Sequence, residues 1–151
     1  MKTTDTKNPK IKFGEGDIFD VEAWGFDALA IVMNQEIPQH RPPLKLPCDF
    51  HEYLRQHKHV PTIVYGLDRR KEPMLELRQV KPCIKEMLGH LLLVNAKRIG
   101  VFGSQISDGT FVEGARETYE AVKEWVEEHG DAIDCITLVD LNGDYNQFLE
   151  E

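Results

Sequence analysis

The chain has 151 residues, with 26 acidic and 18 basic side chains, so its formal net charge is −8 at pH 7. An acidic field repels nucleic acids and anionic membrane surfaces, and no apolar run approaches the length of a bilayer span. The composition therefore favours a cytoplasmic domain with neither nucleic acid nor membrane as a partner. Three cysteines without a C-x-x-C pair indicate neither a disulfide framework nor a zinc site.

The amino-terminal part of the chain predicts a flexible segment followed by a strand. Residues 1–9 are polar and we expect them to be flexible, with a single domain over residues 10–151. Residues 11–19 predict a first strand that is interrupted or ended by a turn at Gly14 and Gly16.

A continuous apolar run over residues 28–33 is typical of a strand that is covered on both faces and lies in the middle of a sheet. Four prolines make residues 36–47 a loop, because proline neither donates to a strand ladder nor extends a helix interior. Asp49 is a candidate N-cap for a short helix through Gln56, and residues 60–65 predict the next strand.

A long amphipathic helix is predicted from Pro73 onward, because apolar residues recur there at spacings of three and four. Its predicted apolar face comprises Leu77, Val80, Ile84, Met87, Leu91 and Val94. Pro82 lies off this face and predicts a kink, although a strand that ends before a helix beginning at Pro82 is the alternative.

The last third of the chain predicts a strand, a helix and a strand. Residues 98–103 predict the strand that opens this part of the chain, and a capping-box pattern over residues 110–113 predicts the start of the helix. Its predicted buried face comprises Val112, Ala115, Tyr119, Val122 and Val126. Gly130 is the predicted left-handed end of the helix. Residues 133–141 predict the final strand, before an Asn-Gly turn and a short terminal helix. This alternation indicates an α/β domain with a largely parallel or mixed sheet.

The segment between the strand at 98–103 and the next helix is the strongest candidate for a binding site. A strand that leads through small residues into a helix presents unpaired backbone N–H groups and the positive end of the helix dipole, which together bind anions such as phosphate. Ser104, Ser107, Asp108 and Thr110 supply more polar groups than a turn needs. The alternative is that the glycines and serines only turn the chain.

Other candidates follow two earlier strands. Asp17 could accept a hydrogen bond from an exocyclic amine or cap its own turn. Asn34, at the end of the apolar strand, could bind ligand hydroxyls or satisfy loop backbone. Phe111 could stack on a ribose or base, or pack in the core. The histidines at 51, 57 and 59 match no metal-ligand spacing, so we expect no metal.

Taken in order, these segments resemble a macrodomain, the ADP-ribose-binding module, and a divergent one closer to the terminal ADP-ribose glycohydrolase branch. The resemblance runs from Lys10 to Glu151 and is carried by Gly16-Asp17-Ile18, the run at 27–32, the strand at 98–102 with its small-residue loop, and Asp144-Tyr145. It implies a three-layer α/β/α fold with a central mixed sheet.

The resemblance also implies roles for particular residues. Asp17 would contact the adenine amine with help from the Ile18 backbone, Asn34 would lie near the distal ribose, and residues 104–109 would wrap the diphosphate. The implied ligand contacts are Asp17, Ile18, Asn34, Ser104, Gln105, Ile106, Ser107, Gly109, Thr110 and Phe111. Asp108 is the candidate general base for hydrolysis.

Two departures from the family pattern leave the function open. Hydrolytic macrodomains carry an Asn-Ala-Ala-Asn run where this chain has Met33-Asn34-Gln35-Glu36, and Tyr65-Gly66-Leu67-Asp68 stands where the glycohydrolase branch has a catalytic lysine. We therefore expect binding of ADP-ribose or a related adenine nucleotide, with possible hydrolysis of ADP-ribosyl linkages on proteins. The alternatives are a non-catalytic binding or sequestering module and a degenerate fold used for protein interaction. The expected partner is ADP-ribose or an ADP-ribosylated protein, bound by a monomer without a cofactor.

Overall fold

The computed structural model describes residues 2–35, 55–68, 77–102, 112–140 and 143–149. In chain order its strands and helices are β1 (Lys2–Asp5), β2 (Ile11–Glu15), α1 (Val21–Trp24), β3 (Ala28–Gln35), β4 (Thr62–Asp68), α2 (Leu77–Leu93), β5 (Arg98–Phe102), α3 (Val112–His129) and β6 (Cys135–Asp140). Two 3₁₀ turns, Gly130–Ala132 and Asp144–Phe148, flank β6.

These strands form a six-stranded sheet in the order β1-β2-β6-β5-β3-β4. The pair β1–β2 is antiparallel and every other neighbouring pair is parallel, so the sheet is mixed, as predicted. The carboxyl ends of five strands therefore lie along one edge, called here the carboxyl edge, and their starts lie along the amino edge. Ligands of open α/β sheets bind beyond the carboxyl edge.

Apolar side chains cover both faces of the sheet. Alternate residues of one strand point to opposite faces, so Ala28 and Ala30 of β3 join the apolar cluster under α2 and α3, whereas Leu29 and Ile31 join a second cluster with α1. Helices thus pack on both faces, which confirms the expected three-layer α/β/α fold.

Two glycines allow aromatic rings to lie directly on the α1 side of the sheet. A Cβ atom at Gly14 of β2 would lie 2.8 Å from Cη2 of Trp24, and one at Gly100 of β5 would lie 2.6 Å from Cε2 of Phe26. The two rings stack in parallel, with centroids 5.6 Å apart and an interplanar angle of 6°. Side chains at either glycine position would displace this pair from the sheet.

Hydrogen bonds tie the strand starts together at the amino edge. The Asp27 carboxylate accepts from the backbone N–H groups of Lys97 and Arg98, and Arg98 Nε donates to the Gly25 carbonyl at 3.1 Å. Lys97 Nζ donates to the carbonyl of Ala132 at 2.7 Å. Strands β3 and β5, together with the turn that follows α3, are therefore joined at the edge opposite the predicted site.

The helix predictions are correct in type and wrong at specific residues. α2 passes through Pro82, which excludes a helix that begins there, and Leu88 is fully buried although the predicted face omitted it. Val94 lies one residue beyond the end of α2 and is 53% exposed, so its assignment to the buried face is wrong.

Gly130 does not end α3 in a left-handed conformation. It is not among the described glycines with positive φ, and the chain continues from it into a 3₁₀ turn. A Cβ atom there would lie 3.2 Å from Cγ1 of Val126, so the residue is small because it packs closely against the preceding turn of α3. The predicted turn at Gly143 does have positive φ, and the terminal helix that follows it is 3₁₀.

The polar amino-terminal residues form a strand that the sequence did not predict. Lys2 pairs with Glu15 and Asp5 with Lys12, so β1 is an outermost strand of the sheet and runs antiparallel to β2. Both faces of β1 are largely exposed. Its sequence therefore lacks the alternation of polar and apolar residues that predicts a strand.

Some predicted features fall on residues outside the described ranges, including the proline-rich loop at 36–47 and the capping box at Thr110. Of the short helix predicted from Asp49, residues 55 and 56 are described and are helical. Within the described part of the chain, none of the helices combines the length and apolarity that a membrane span requires.

Candidate functional site at the carboxyl edge

The turn after β2 begins the candidate site. Gly16 has a φ of 146°, which L side chains rarely adopt, and its N–H donates to the Asp140 carbonyl at 2.9 Å. This bond continues the pairing of β2 with β6 by one residue beyond the strand. Asp17 therefore leaves the sheet directly at the carboxyl edge, where a ligand of this fold class binds.

The side chain of Asp17 caps its own turn. Its Oδ1 accepts from the backbone N–H of Phe19 at 2.8 Å, which is the capping role considered from the sequence. No described residue donates to Oδ2. The cap and a ligand contact are therefore compatible, because a carboxylate accepts at both oxygens. Ile18 is 2% exposed and packs in the α1-side cluster, so its backbone is the part available to a ligand.

Asn34 lies near the end of β3, and its backbone pairs with Leu67 of β4. Strands β6 and β5 separate β2 from β3, so the ends that carry Asp17 and Asn34 are three strand spacings apart. At the usual spacing this is about 14 Å. A ligand that contacts both must therefore be elongated.

Residues 104–111, which include most of the predicted contacts and Asp108, lie outside the described ranges. The described elements nevertheless fix the ends of this segment, because β5 ends at Phe102 on the carboxyl edge and α3 begins at Val112. The segment connects a strand of the candidate site to a helix N-terminus, and its anion-binding role stays a prediction.

The 3₁₀ turn after β6 packs beside the same edge. Tyr145 is 2% exposed, and burial raises the pKa of its phenol well above the ordinary value. The nearby Asp140 carboxylate raises this pKa further, and the neighbouring Thr118 side chain partly offsets the rise. Tyr145 therefore stays neutral and serves packing, with its ring 5.9 Å from that of Phe13.

The described residues offer few other reactive groups. Cys83 and Cys135 are free thiols, and burial, followed by the charge of Glu86, raises the pKa of Cys83, which disfavours its thiolate. The rings of His57 and His59 lie 6.0 Å apart. Among the described residues, no three His, Cys, Asp or Glu side chains are grouped so as to hold a metal.

A groove of about 240 Å³ lies elsewhere, near α1 at the amino edge. It is bordered by Phe26, Asp27 and Val60 and contains none of the predicted ligand contacts. The groove and the predicted site therefore lie at opposite edges of the sheet.

Comparison with solved structures identifies the architecture. A Trypanosoma brucei macrodomain is 16% identical to this chain, with a TM-score of 0.63 over 99% of this chain and 70% of its own. The chain has the macrodomain fold. Two further structures of a T. brucei macrodomain each give a TM-score of 0.62. The complex with ADP is 15% identical, and the match covers 97% of this chain and 71% of the macrodomain chain. The complex with ADP-ribose is 16% identical, and the match covers 99% of this chain and 73% of the macrodomain chain.

No family model matches the sequence, and no curated protein matches it. The macrodomain fold is thus recognised from structural similarity rather than from sequence identity. Sequence reasoning missed Trp24 in this site. Its indole Nε1–H donates to the Asp17 carbonyl at 2.7 Å, and only the folded chain brings the two residues together.

Proposed function

We propose that the protein binds ADP-ribose, or a related adenine nucleotide, along the carboxyl edge of its sheet. The observation that supports this most is the likeness, over 99% of the chain, to a macrodomain crystallised in complex with ADP-ribose. Asp17 accepts from the adenine amine through Oδ2, the Ile18 backbone assists, and Asn34 binds the distal ribose. The separation of Asp17 and Asn34 requires an elongated ligand, which ADP-ribose is.

The diphosphate is bound by residues 104–110, with Phe111 beside the distal ribose or at the base of the loop. Backbone N–H groups at the start of α3 supply the positive potential for this diphosphate. They need no lysine or arginine, so a protein with a net charge of −8 can still bind an anion.

Isothermal titration calorimetry with ADP-ribose, ADP and AMP tests this proposal. ADP-ribose should bind most tightly because it alone reaches from Asp17 to Asn34, and AMP most weakly. Asp17→Asn keeps the Oδ1 cap but replaces Oδ2 with a donor, so it should weaken ADP-ribose binding by about tenfold. The matched control Asp134→Asn, exposed at the amino edge, should leave the affinity unchanged. Absence of heat with all three ligands would refute the proposal.

A second candidate function is hydrolysis of an ADP-ribosyl linkage on proteins. It is favoured by Asp108, a carboxylate in the loop between β5 and α3, which could act as a general base toward water. The assay is release of ADP-ribose from a modified protein by wild type and by Asp108→Ala. Loss of turnover with retained binding supports catalysis, whereas no turnover by the wild type indicates a non-catalytic binding module.

We propose a monomeric cytoplasmic protein whose partner is ADP-ribose or an ADP-ribosylated protein, without nucleic-acid or membrane contacts. The free thiols of Cys83 and Cys135 suit a reducing compartment. Light scattering coupled to size-exclusion chromatography should give the 17.4 kDa of one chain.

A further inference from the structure

The indole of Trp24 bonds to the backbone of the turn that carries Asp17. Trp24 Nε1 donates to the Asp17 carbonyl at 2.7 Å, and the backbone N–H of Asp20 donates to the same carbonyl at 3.1 Å. Trp24 is 8% exposed and Asp17 is half-buried, so the indole bond is partly shielded from competing water. Both acceptor sites of this carbonyl are therefore used, which fixes the plane of the peptide after Asp17.

The same turn is held at two further points. Its start is bound to β6 through the N–H of Gly16, and the Asp17 side chain is bound through Oδ1 to the N–H of Phe19. These bonds limit rotation of the carboxylate, and Oδ2 then has one preferred direction. The indole bond is the only one of them that comes from a side chain outside the turn and packed in the core.

The position of the indole is set by the sheet. Its ring lies against Gly14, and Phe26, stacked on it, lies against Gly100. Gly14 belongs to the strand that leads into Asp17, and Gly100 to the strand that leads into residues 103–111. The donor atom is thus held by rigid packing on two strands that end at the candidate site.

We infer that Trp24 is a positioning residue, which holds Asp17 so that Oδ2 accepts a hydrogen bond from the exocyclic amine of the bound base. The inference rests on the proposed function. It goes further by assigning selectivity for adenine to a core tryptophan that does not touch the ligand. Trp24→Phe removes the donor and keeps an aromatic ring on Gly14.

The experiment compares ADP-ribose with its hypoxanthine counterpart, inosine diphosphate ribose, which carries a carbonyl oxygen in place of the amine. Wild type should prefer ADP-ribose. Trp24→Phe should bind ADP-ribose about fivefold more weakly, from the loss of one hydrogen bond, and should change little toward the inosine ligand. The ratio of the two affinities is the readout, because general destabilisation weakens both ligands alike.

Trp125→Phe is the matched control. Trp125 is also buried, at 4% exposure, but it lies in α3 on the opposite face of the sheet. Its substitution should leave the affinity ratio unchanged. A folded Trp24→Phe protein with the wild-type ratio overturns the inference, whereas a wild type that binds neither ligand overturns the proposed function instead.

Wild-type protein provides a second test if Trp24→Phe does not fold. Binding and the indole bond stabilise the same arrangement of Asp17, so by linkage the ligand must stabilise the bond. Saturating ADP-ribose should therefore slow hydrogen exchange of the Trp24 indole N–H in NMR spectra, and inosine diphosphate ribose should slow it less. Equal exchange rates with and without bound ADP-ribose contradict the inference.

Discussion

Gly14 and Gly100 are constrained by the aromatic rings above them rather than by backbone conformation. Neither has positive φ, and each lies within a strand where glycine is ordinarily unfavourable. Their small size lets Trp24 and Phe26 rest on the sheet. The packing gained at these positions outweighs the loss of strand propensity.

Gly100→Ala should lower the free energy of unfolding by about 1–3 kcal/mol, because the added methyl group displaces Phe26 and overpacks the core. Gly89→Ala is the matched control: Gly89 lies in α2 and a Cβ atom there meets nothing within 4 Å. It should raise stability by about 0.5–1 kcal/mol through helix propensity. Urea denaturation of the two variants measures both effects, and equal shifts of the same sign would contradict this account.

Glu124 binds two lysines that extend from α2 to α3. Its carboxylate lies 2.9 Å from Lys81 Nζ and 3.1 Å from Lys85 Nζ. The hydrogen bond from Lys81, followed by that from Lys85, holds the pKa of Glu124 below its ordinary value. A depressed carboxyl pKa stabilises the fold above the ordinary pKa, and this contribution is lost as the pH falls through the depressed value.

Glu124→Gln should therefore lower Tm slightly near neutral pH, and the difference from wild type should shrink as the pH falls below the ordinary Glu pKa of 4.5. High salt should shrink it as well, because both lysine contacts are at the surface. Glu127→Gln, exposed on the same helix, should not lower Tm. Thermal melts over this pH range test the assignment, and a pH-independent difference would argue against the ion pairs as its cause.

At the scale of elements, the spacing of apolar residues predicts α2 but does not predict β1. Ile84, Met87 and Leu91 repeat with helical spacing and are buried, so most of the buried face of α2 followed from the spacing of apolar residues, although that face omitted Leu88. The end of the helix could not be predicted in this way. Val94 is apolar and continues the helical spacing of the buried residues, yet the helix ends at Leu93. β1 has no apolar face, and its pairing with β2 depends on the folded sheet.

The candidate site also contains residues that could be predicted from the sequence and a contact that could not. Asp17 and Asn34 were predicted because strand ends are visible in sequence, and the parallel sheet brings such ends to one edge. The contact of Trp24 with Asp17 was not predictable, since it depends on how α1 folds back over β2. Gly130 was assigned the wrong role because close packing and a left-handed turn both select glycine.

β1 is the element for which we expect the least protection from hydrogen exchange. It is a four-residue edge strand, paired on one side to β2 and largely exposed. Its amides should exchange much faster than those of β6, which is flanked by β2 and β5. Comparable protection of β1 and β6 in native-state exchange would contradict the flexibility predicted for residues 1–9.

At the scale of the molecule, the sheet is shared by both apolar clusters. β3 contributes Ala30 to one cluster and Leu29 to the other, so loss of the sheet removes both layers together. This arrangement predicts a single cooperative domain over residues 10–151.

Chemical unfolding should therefore give one transition, coincident by far-UV circular dichroism and by hydrodynamic radius. ADP-ribose at 100 times its dissociation constant should stabilise the folded state by about 2.7 kcal/mol. Two separated transitions, or a ligand effect on only part of the unfolding signal, would contradict a single domain. The Asp17→Asn variant provides the control, because it should unfold in one step with a smaller ligand effect.

The two tryptophans of the chain lie on opposite faces of the sheet, Trp24 in the layer of α1 and Trp125 in α3. Each layer consequently carries its own intrinsic fluorophore. With Trp125 replaced by phenylalanine, the emission of the protein comes from the indole beside the Asp17 turn, and with Trp24 replaced it comes from the helical layer behind the sheet. Ligand titrations followed by emission in this pair of variants separate events at the candidate site from changes in the opposite layer.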